Sequence, residues 1–293
     1  MTHIAQPWQH AHILSNGVRL HYVTQGSGPL IVLLHGFPEY WYSWRFQIPF
    51  LAERGFRVVA PDLRGYNESD KPRRGYRISS LLLDIVGLIR GLGYEQATIV
   101  GHDWGGVLAW SFAASYPAMT ERLIVLNAPH PAAYMRELRS NPEQRRKSWY
   151  VFFFQIPWLP EWVLGRKHAA LIGEMLYRSA VQKEAFPHEV LMHYRDAMSK
   201  PGALTAALNY YRTIMRSQLL PGERNKQVVI SAPTLLLWGE QDSALTLNLT
   251  RGLEPWVPHL RVQTIAHCGH WVQQEQPEVV NDAMASFLRT ECH

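Results

Sequence analysis

Cysteine is nearly absent from this chain: Cys268 and Cys292 are the only two in 293 residues. Two thiols cannot build a disulfide framework, and a reducing, cytoplasmic setting is the resulting expectation. No uninterrupted run of about 18 apolar residues occurs, so the sequence offers no membrane-spanning helix. The opening stretch, MTHIAQPWQHAHIL, lacks a charged segment followed by an apolar one, so no secretory leader is expected. Charge is sparse, at 18%, and sums to +5. Basic clusters at Arg73-Arg74 and from Arg136 to Lys147 come without any nucleic-acid-binding motif. They read as solvated helix faces, and no nucleic-acid partner is expected. Repeats and low-complexity tracts are missing as well, which excludes a solenoid.

What remains is an ordinary core former, 47% hydrophobic and long enough for one large α/β domain or two modest ones. Alternating segments at His10–Leu14 and Arg19–Thr24 flank Asn16-Gly17 and predict a hairpin. Leu30–Leu34 is a continuous apolar run of the parallel-sheet kind. Helix, strand and helix follow at Trp41–Glu53, Arg57–Pro61 and Ser79–Leu92, with further strands at Gln96–Val100 and Leu123–Leu126. This alternation predicts an α/β fold, a mostly parallel doubly wound sheet with helices on both faces. Strand signals stop between about Pro131 and Gln227, where the chain is helical, aromatic and basic in patches: Trp149–Phe154, Trp158, Trp162, then His193–Met215. Strand and helix resume at Pro233–Trp238, Leu260–Ile265 and Glu278–Leu288. The expected organisation is a core domain of residues 1–130 and 228–293, with residues 131–227 inserted as a helical lid (cap) over the carboxyl ends of the strands.

The chemistry is concentrated at residues 101–106, GHDWGG, between an apolar strand and a helical pattern. Strand, sharp turn and helix with small residues at the bend make a nucleophile elbow, usually G-x-S-x-G. Serine is missing from its slot, and Asp103 stands there instead. A carboxylate nucleophile forms an ester by opening a strained ring or displacing a leaving group at saturated carbon, so the reaction class changes. An acid and then a histidine should follow in chain order. Asp242, in WGEQDSAL, and His270, in AHCGHW, supply them, each just past a strand end. His267 competes for the base, and Asn127 occupies another acid position but carries no charge. In the resulting scheme Asp103 becomes an ester, and His270, oriented by Asp242, activates the water that hydrolyses it. Backbone N–H groups of Phe37, in HGFP, and of Trp104 are the expected oxyanion hole.

With these residues in view the chain resembles the epoxide hydrolases of the α/β-hydrolase superfamily, and the likeness extends to the hydrolase domain of the soluble epoxide hydrolases. It rests on HGFPEYWYSWRFQIPFL at 35–51, GHDWGG at 101–106 and CGHW at 268–271, and covers nearly the whole chain. The resemblance implies two lid tyrosines that hold and protonate the epoxide oxygen. They match Tyr150 in YVFFFQ and Tyr211 in LNYYR, with Tyr210 the competitor of Tyr211. The implied reaction converts an epoxide to a vicinal diol through an Asp103 alkyl ester. Phe37, Trp104, Phe153 and Trp158 are the expected substrate-binding residues. Phe152, Phe153, Trp158 and Trp162 either line an apolar tunnel or pack the lid. No metal and no cofactor is implied. The partners are a small apolar epoxide and water, and the protein is expected to be a monomer or homodimer.

Two other readings share some of these residues. Haloalkane and haloacid dehalogenases use the same Asp nucleophile but need no pair of phenols. A non-catalytic hydrolase-fold binder would have no need of an intact Asp103, Asp242 and His270.

Overall fold

The computed structural model describes residues 8–218 and 228–289. Its frame is one eight-stranded sheet in the order β1-β2-β4-β3-β5-β6-β7-β8. The strands are β1 (Gln9–Ser15), β2 (Val18–Gln25), β3 (Leu30–Leu34), β4 (Arg57–Pro61), β5 (Ala97–His102), β6 (Thr120–Leu126), β7 (Thr234–Gly239) and β8 (Leu260–Ile265). β1 and β2 form the expected hairpin, with Asn16 and Gly17 both at positive φ. From β4 to β8 every pairing is parallel. The central strands carry β-branched and leucine side chains on both faces because helices cover both: all five residues of β3 are buried.

Helices α1 (Gln47–Ala52), α2 (Ile78–Gly91), α3 (Trp104–Ser115), α10 (Val272–Glu275) and α11 (Pro277–Arg289) belong to the sheet, and α4 to α9 separate β6 from β7. α2 buries Leu81, Leu82, Ile85, Leu88 and Ile89, an apolar stripe at helical spacing. The helix expected over Trp41–Glu53 is shorter, with a 3₁₀ turn at Trp41–Trp44 and α1 only from Gln47. Pro49 explains the break, since proline has no N–H to donate and fits only the first helical turn.

Between β6 and β7 the described residues form helices and no strand: α4 (Pro131–Ser140), α5 (Pro142–Lys147), α6 (Trp149–Phe153), α7 (Leu159–Ser179), α8 (His188–Ser199) and α9 (Ala203–Gln218). α7 is interrupted by non-helical backbone at Arg166–Ala169, where Arg195 donates to the carbonyls of Lys167 and His168. The helical stretch His193–Met215 is divided between two helices, because Pro201-Gly202 intervenes and Gly202 sits at φ +80°. The expected lid boundary at residue 227 lies outside the described residues, as does Cys292. Cys268 is buried and unpaired. Among the described residues no helix is long and apolar enough to cross a membrane.

One close approach fixes where α3 starts. A Cβ on Gly105 would lie 2.0 Å from the Leu34 carbonyl oxygen and 2.6 Å from that of His35, at the end of β3. Helix and sheet therefore touch backbone to backbone. Gly105→Ala should lower the stability to urea by about 2 kcal/mol or more, the scale of core overpacking. An unchanged unfolding midpoint would refute this account of the elbow's packing.

Candidate active site

Asp103 occupies the turn between β5 and α3 at φ +50°, ψ −120°, a region that costs a non-glycine residue about 1–3 kcal/mol. The turn points its side chain out of the sheet toward the loop after β3. There Gly36 leaves room for it, since a Cβ on Gly36 would lie 2.4 Å from Asp103 Cβ. The Phe37 N–H donates to Asp103 Oδ1 at 2.8 Å. Trp104 opens α3, and its N–H is among the first four of a helix, which have no acceptor within it.

The other carboxylate oxygen faces His270, with Oδ2 3.7 Å from Nε2. His270 Nδ1 lies 2.7 Å from Asp242 Oδ2. Asp242 is itself held on every side. Its Oδ1 accepts from the N–H groups of Ala244 and Leu245, and its Oδ2 accepts from the Asn127 amide at 2.7 Å. Asn127 also accepts from the Gly239 N–H, so it positions the acid. His267 is exposed, and its carbonyl accepts from Gln182. Its side chain is not part of the constellation.

Electrostatics follow from burial and charge. Burial alone would lower the His270 pKa, but the Asp242 and Asp103 carboxylates raise it well above 6.5. Burial raises both carboxyls, and His270 outweighs it, holding Asp103 and Asp242 below their ordinary range. The two carboxylates on either side of His270 thus favour its protonated form.

Residues that motif reasoning did not single out support this arrangement. His102 Nε2 lies 2.9 Å from the His270 carbonyl, and its Nδ1 lies 2.7 Å from Glu39 Oε2. Glu39, fully buried, also accepts from Gln273 and Gln274. Both His102 and Glu39 lie inside the motifs GHDW and HGFPE, next to residues that were singled out; their partnership is a tertiary fact. Lid residues reach the acid loop too. The Lys147 ammonium donates to the Asp242 carbonyl, and Gln144 bridges the Ala244 carbonyl and the Thr246 N–H. The cluster from Arg136 to Lys147 is thus not merely a solvated face. Arg136 likewise donates to the carbonyls of Asn248, Arg251 and Gly252.

Tyr211, from α9, stands edge-on to Trp104 at 4.9 Å between ring centroids and to Phe37 at 5.7 Å. Tyr150, from α6, is 6.0 Å from Tyr211. Burial, with Asp103 adding to it, pushes both phenols well above 10. Tyr210 also meets Trp104, but its hydroxyl donates to the Arg64 carbonyl. Two substrate-binding expectations are corrected. Trp158 is 83% exposed and not gathered here, and Phe152 and Trp162 are likewise on the surface. Phe153 is half-buried beside Trp149, whereas Phe154 packs on Phe37, Tyr150 and Tyr211. One step along a helix turns a side chain by about 100°, which separates two adjacent phenylalanines that look equivalent in sequence. Among the described residues no group of three or more His, Cys, Asp or Glu side chains is arranged to hold a metal ion.

Residues 29–277 match the family model of the α/β-hydrolase fold. The chain is 38% identical over 292 residues to human epoxide hydrolase 4, covering 96% of this chain and 79% of the relative. Identity to Xenopus tropicalis epoxide hydrolase 3 is 41% over 297 residues, covering 96% and 78%. Among solved structures, a variant of a Bacillus megaterium epoxide hydrolase, complexed with its product, a naphthyloxy-propane-1,2-diol, superposes with a TM-score of 0.88. It is 36% identical, and the match covers 96% of this chain and all of that one.

His270 should therefore titrate well above 6.5 when followed by NMR of the ring nitrogens, and Asp103→Asn should lower that value by removing one carboxylate. The raised value stabilises the fold fully below 6.5, and this contribution is lost as pH rises through the folded-state pKa. The depressed Asp103 and Asp242 act oppositely, contributing above their ordinary 3.8 and losing it as pH falls through their folded-state values. A wild-type His270 titrating at or below 6.5 would contradict the paired-carboxylate environment.

Proposed function

The chain belongs to the epoxide hydrolases of the α/β-hydrolase family, and on that premise we propose that it converts an epoxide to a vicinal diol through an alkyl ester on Asp103. The observation that carries this reading is a half-buried carboxylate at the nucleophile position, with the aromatic rings of Tyr150 and Tyr211 gathered over it from the lid.

In the first step Asp103 Oδ2 attacks a ring carbon and the carbon–oxygen bond of the epoxide breaks. The leaving oxygen is an alkoxide, far more basic than a phenol even when burial raises the phenol's pKa. Tyr150 or Tyr211 therefore gives it a proton, a form of general-acid assistance worth about 10²–10⁴-fold. Esterification also removes the negative charge of Asp103. That charge helps hold His270 protonated and helps raise both phenols, so its loss acts on both together. The His270 imidazolium becomes the stronger acid, and its proton restores the phenol by way of solvent, leaving a neutral imidazole able to accept a proton.

In the second step neutral His270 takes a proton from water, which attacks Asp103 Cγ. The oxyanion forming on Oδ1 is met by the Phe37 N–H, already bound there, and by that of Trp104. Collapse expels the diol oxygen, which takes the proton back from His270. Asp103 leaves as a carboxylic acid and protonates His270, and the resting ion triad is restored. Phe37, Trp104 and Phe154 form an aromatic wall suited to a small apolar substrate with an aryl-bearing arm, as in the product held by the Bacillus megaterium enzyme. The setting proposed is the cytoplasm, for a monomer or homodimer, consistent with the free thiol of Cys268.

A single turnover in ¹⁸O-water with enzyme in excess should put the label into the Asp103 carboxylate and none into the diol. His270→Gln should accumulate the substrate adduct on the peptide bearing Asp103, read by intact-protein and peptide mass spectrometry. Label appearing directly in the diol would mean direct attack by water and end the ester scheme.

The lid phenols give a separate test. Each of Tyr150→Phe and Tyr211→Phe should lose part of the activity, since one phenol still donates. The double variant should fall by at least about 100-fold, in the alkylation step. Wild-type ring opening by the double variant, or halide release by the wild type faster than diol formation, would favour the dehalogenase chemistry instead.

A further inference from the structure

The lid helix that brings Tyr150 into the site presents aromatics on its other side. On α6, Trp149 and Phe152 are 64% and 63% exposed. The chain continues through exposed Ile156 to Trp158 and into α7, where Leu159 and Trp162 are exposed in turn, Trp162 at 60%. Trp158 caps α7, and its carbonyl accepts from the Trp162 N–H, so the two exposed indoles stand at the same end of that helix. A run of large exposed apolar side chains on one segment is not ordinary surface and marks an interaction site.

Acids flank it, but they are paired: Glu143 with Lys147, Glu174 with Arg178 and Asp196 with His168. Arg145, Arg146, Arg166 and Lys167 are exposed, and among the described residues none forms an ion pair. The Arg166 guanidinium lies 4.6 Å over the Trp162 ring, which places a cation within the aromatic row. Glu161 is the one acid between residues 144 and 173. Arg212, on α9, draws it out of the exposed face through bonds of 2.6 and 3.0 Å. A second copy of the chain is a poor match for this face, because a two-fold contact would set its cations against identical cations. An anionic lipid surface suits both features. Tryptophan rings settle at the headgroup layer, and arginine and lysine are attracted to anionic headgroups.

We infer that the outer face of the lid, formed by Trp149, Phe152, Trp158 and Trp162 with Arg166, docks on an anionic lipid bilayer. Docking would hold the lid against the phase in which an apolar epoxide is most concentrated. That consequence rests on the proposed activity; the docking itself does not.

The full-length enzyme should co-sediment with vesicles of phosphatidylcholine containing phosphatidylglycerol, with a blue shift in tryptophan emission. Pure phosphatidylcholine should bind it more weakly, and high salt should reverse the binding. Trp149→Ser/Trp162→Ser should weaken binding by at least about tenfold, since each large side chain then fails to leave water. Arg166→Glu should weaken it by about fivefold or more. Both variants should turn over a water-soluble epoxide at the wild-type rate without vesicles, which also shows that they fold. The inference fails if wild type ignores anionic vesicles, or if the variants bind them equally well. It fails too if light scattering shows a dimer that Trp149→Ser/Trp162→Ser dissolves. Vesicle binding by a wild type that opens no epoxide would leave the docking intact and overturn the activity.

Discussion

The negative charge on the half-buried carboxylate of Asp103 acts on three other ionisable groups at once. It helps keep His270 protonated and raises the phenols of Tyr150 and Tyr211. In water such couplings would be screened to little. Inside this protein the groups are buried together, and a charge appearing or vanishing on one is felt by all. A nucleophile that loses its charge on reacting can thus switch a neighbouring histidine from acid to base without any large movement. Serine, neutral before attack, would give no such signal.

The fold's work is to keep that charge where it is effective. The backbone of Asp103 is strained, and strain persists only where surroundings over-determine it. Gly36 and Gly105 admit contacts that any side chain would block, and the Phe37 N–H holds one carboxylate oxygen. Behind the histidine, the buried Glu39 and His102 pair ties the His270 carbonyl to α10 through Gln273 and Gln274. A buried ionisable pair is costly unless its remaining valences are satisfied, and here each Glu39 oxygen accepts two hydrogen bonds. The lid contributes to the same order, since Lys147 and Gln144 fasten it to the loop carrying Asp242. Displacement of α5 would be felt at the acid as well as at the phenol of Tyr150.

The lid also joins two environments. α6 is one short helix, yet Tyr150 packs inward on Tyr211 and Phe154 while Trp149 and Phe152 are exposed. The position of one side therefore constrains the other. This coupling makes the aromatic surface relevant to a catalyst and not only to its solubility.

Local pattern was enough to define much of this protein. The continuous apolar run Leu30–Leu34 gave β3 at its observed limits, because a strand buried on both faces must be apolar throughout. The elbow was legible because a strand-to-helix reversal demands small residues in a fixed order, and the aspartate in the serine slot announced a change of chemistry. Chain order gave Asp242 and His270. What depends on direction in space was not written there. Tyr210 and Tyr211, Phe153 and Phe154, and His267 and His270 are near neighbours of the same type. Both rings meet Trp104, and only packing decides that the Tyr210 hydroxyl donates to the Arg64 carbonyl while Tyr211 packs on Phe37 and Phe154. Trp158 looked like a tunnel residue because apolar side chains usually turn inward, and the fold leaves it in solvent. Glu39, His102 and Asn127 acquired roles through partners distant in sequence, and a linear pattern carries no record of such contacts. Residue type and short-range spacing fixed which groups were available; the tertiary structure decided which copy of each is brought to the site, because that depends on the direction in which each side chain packs.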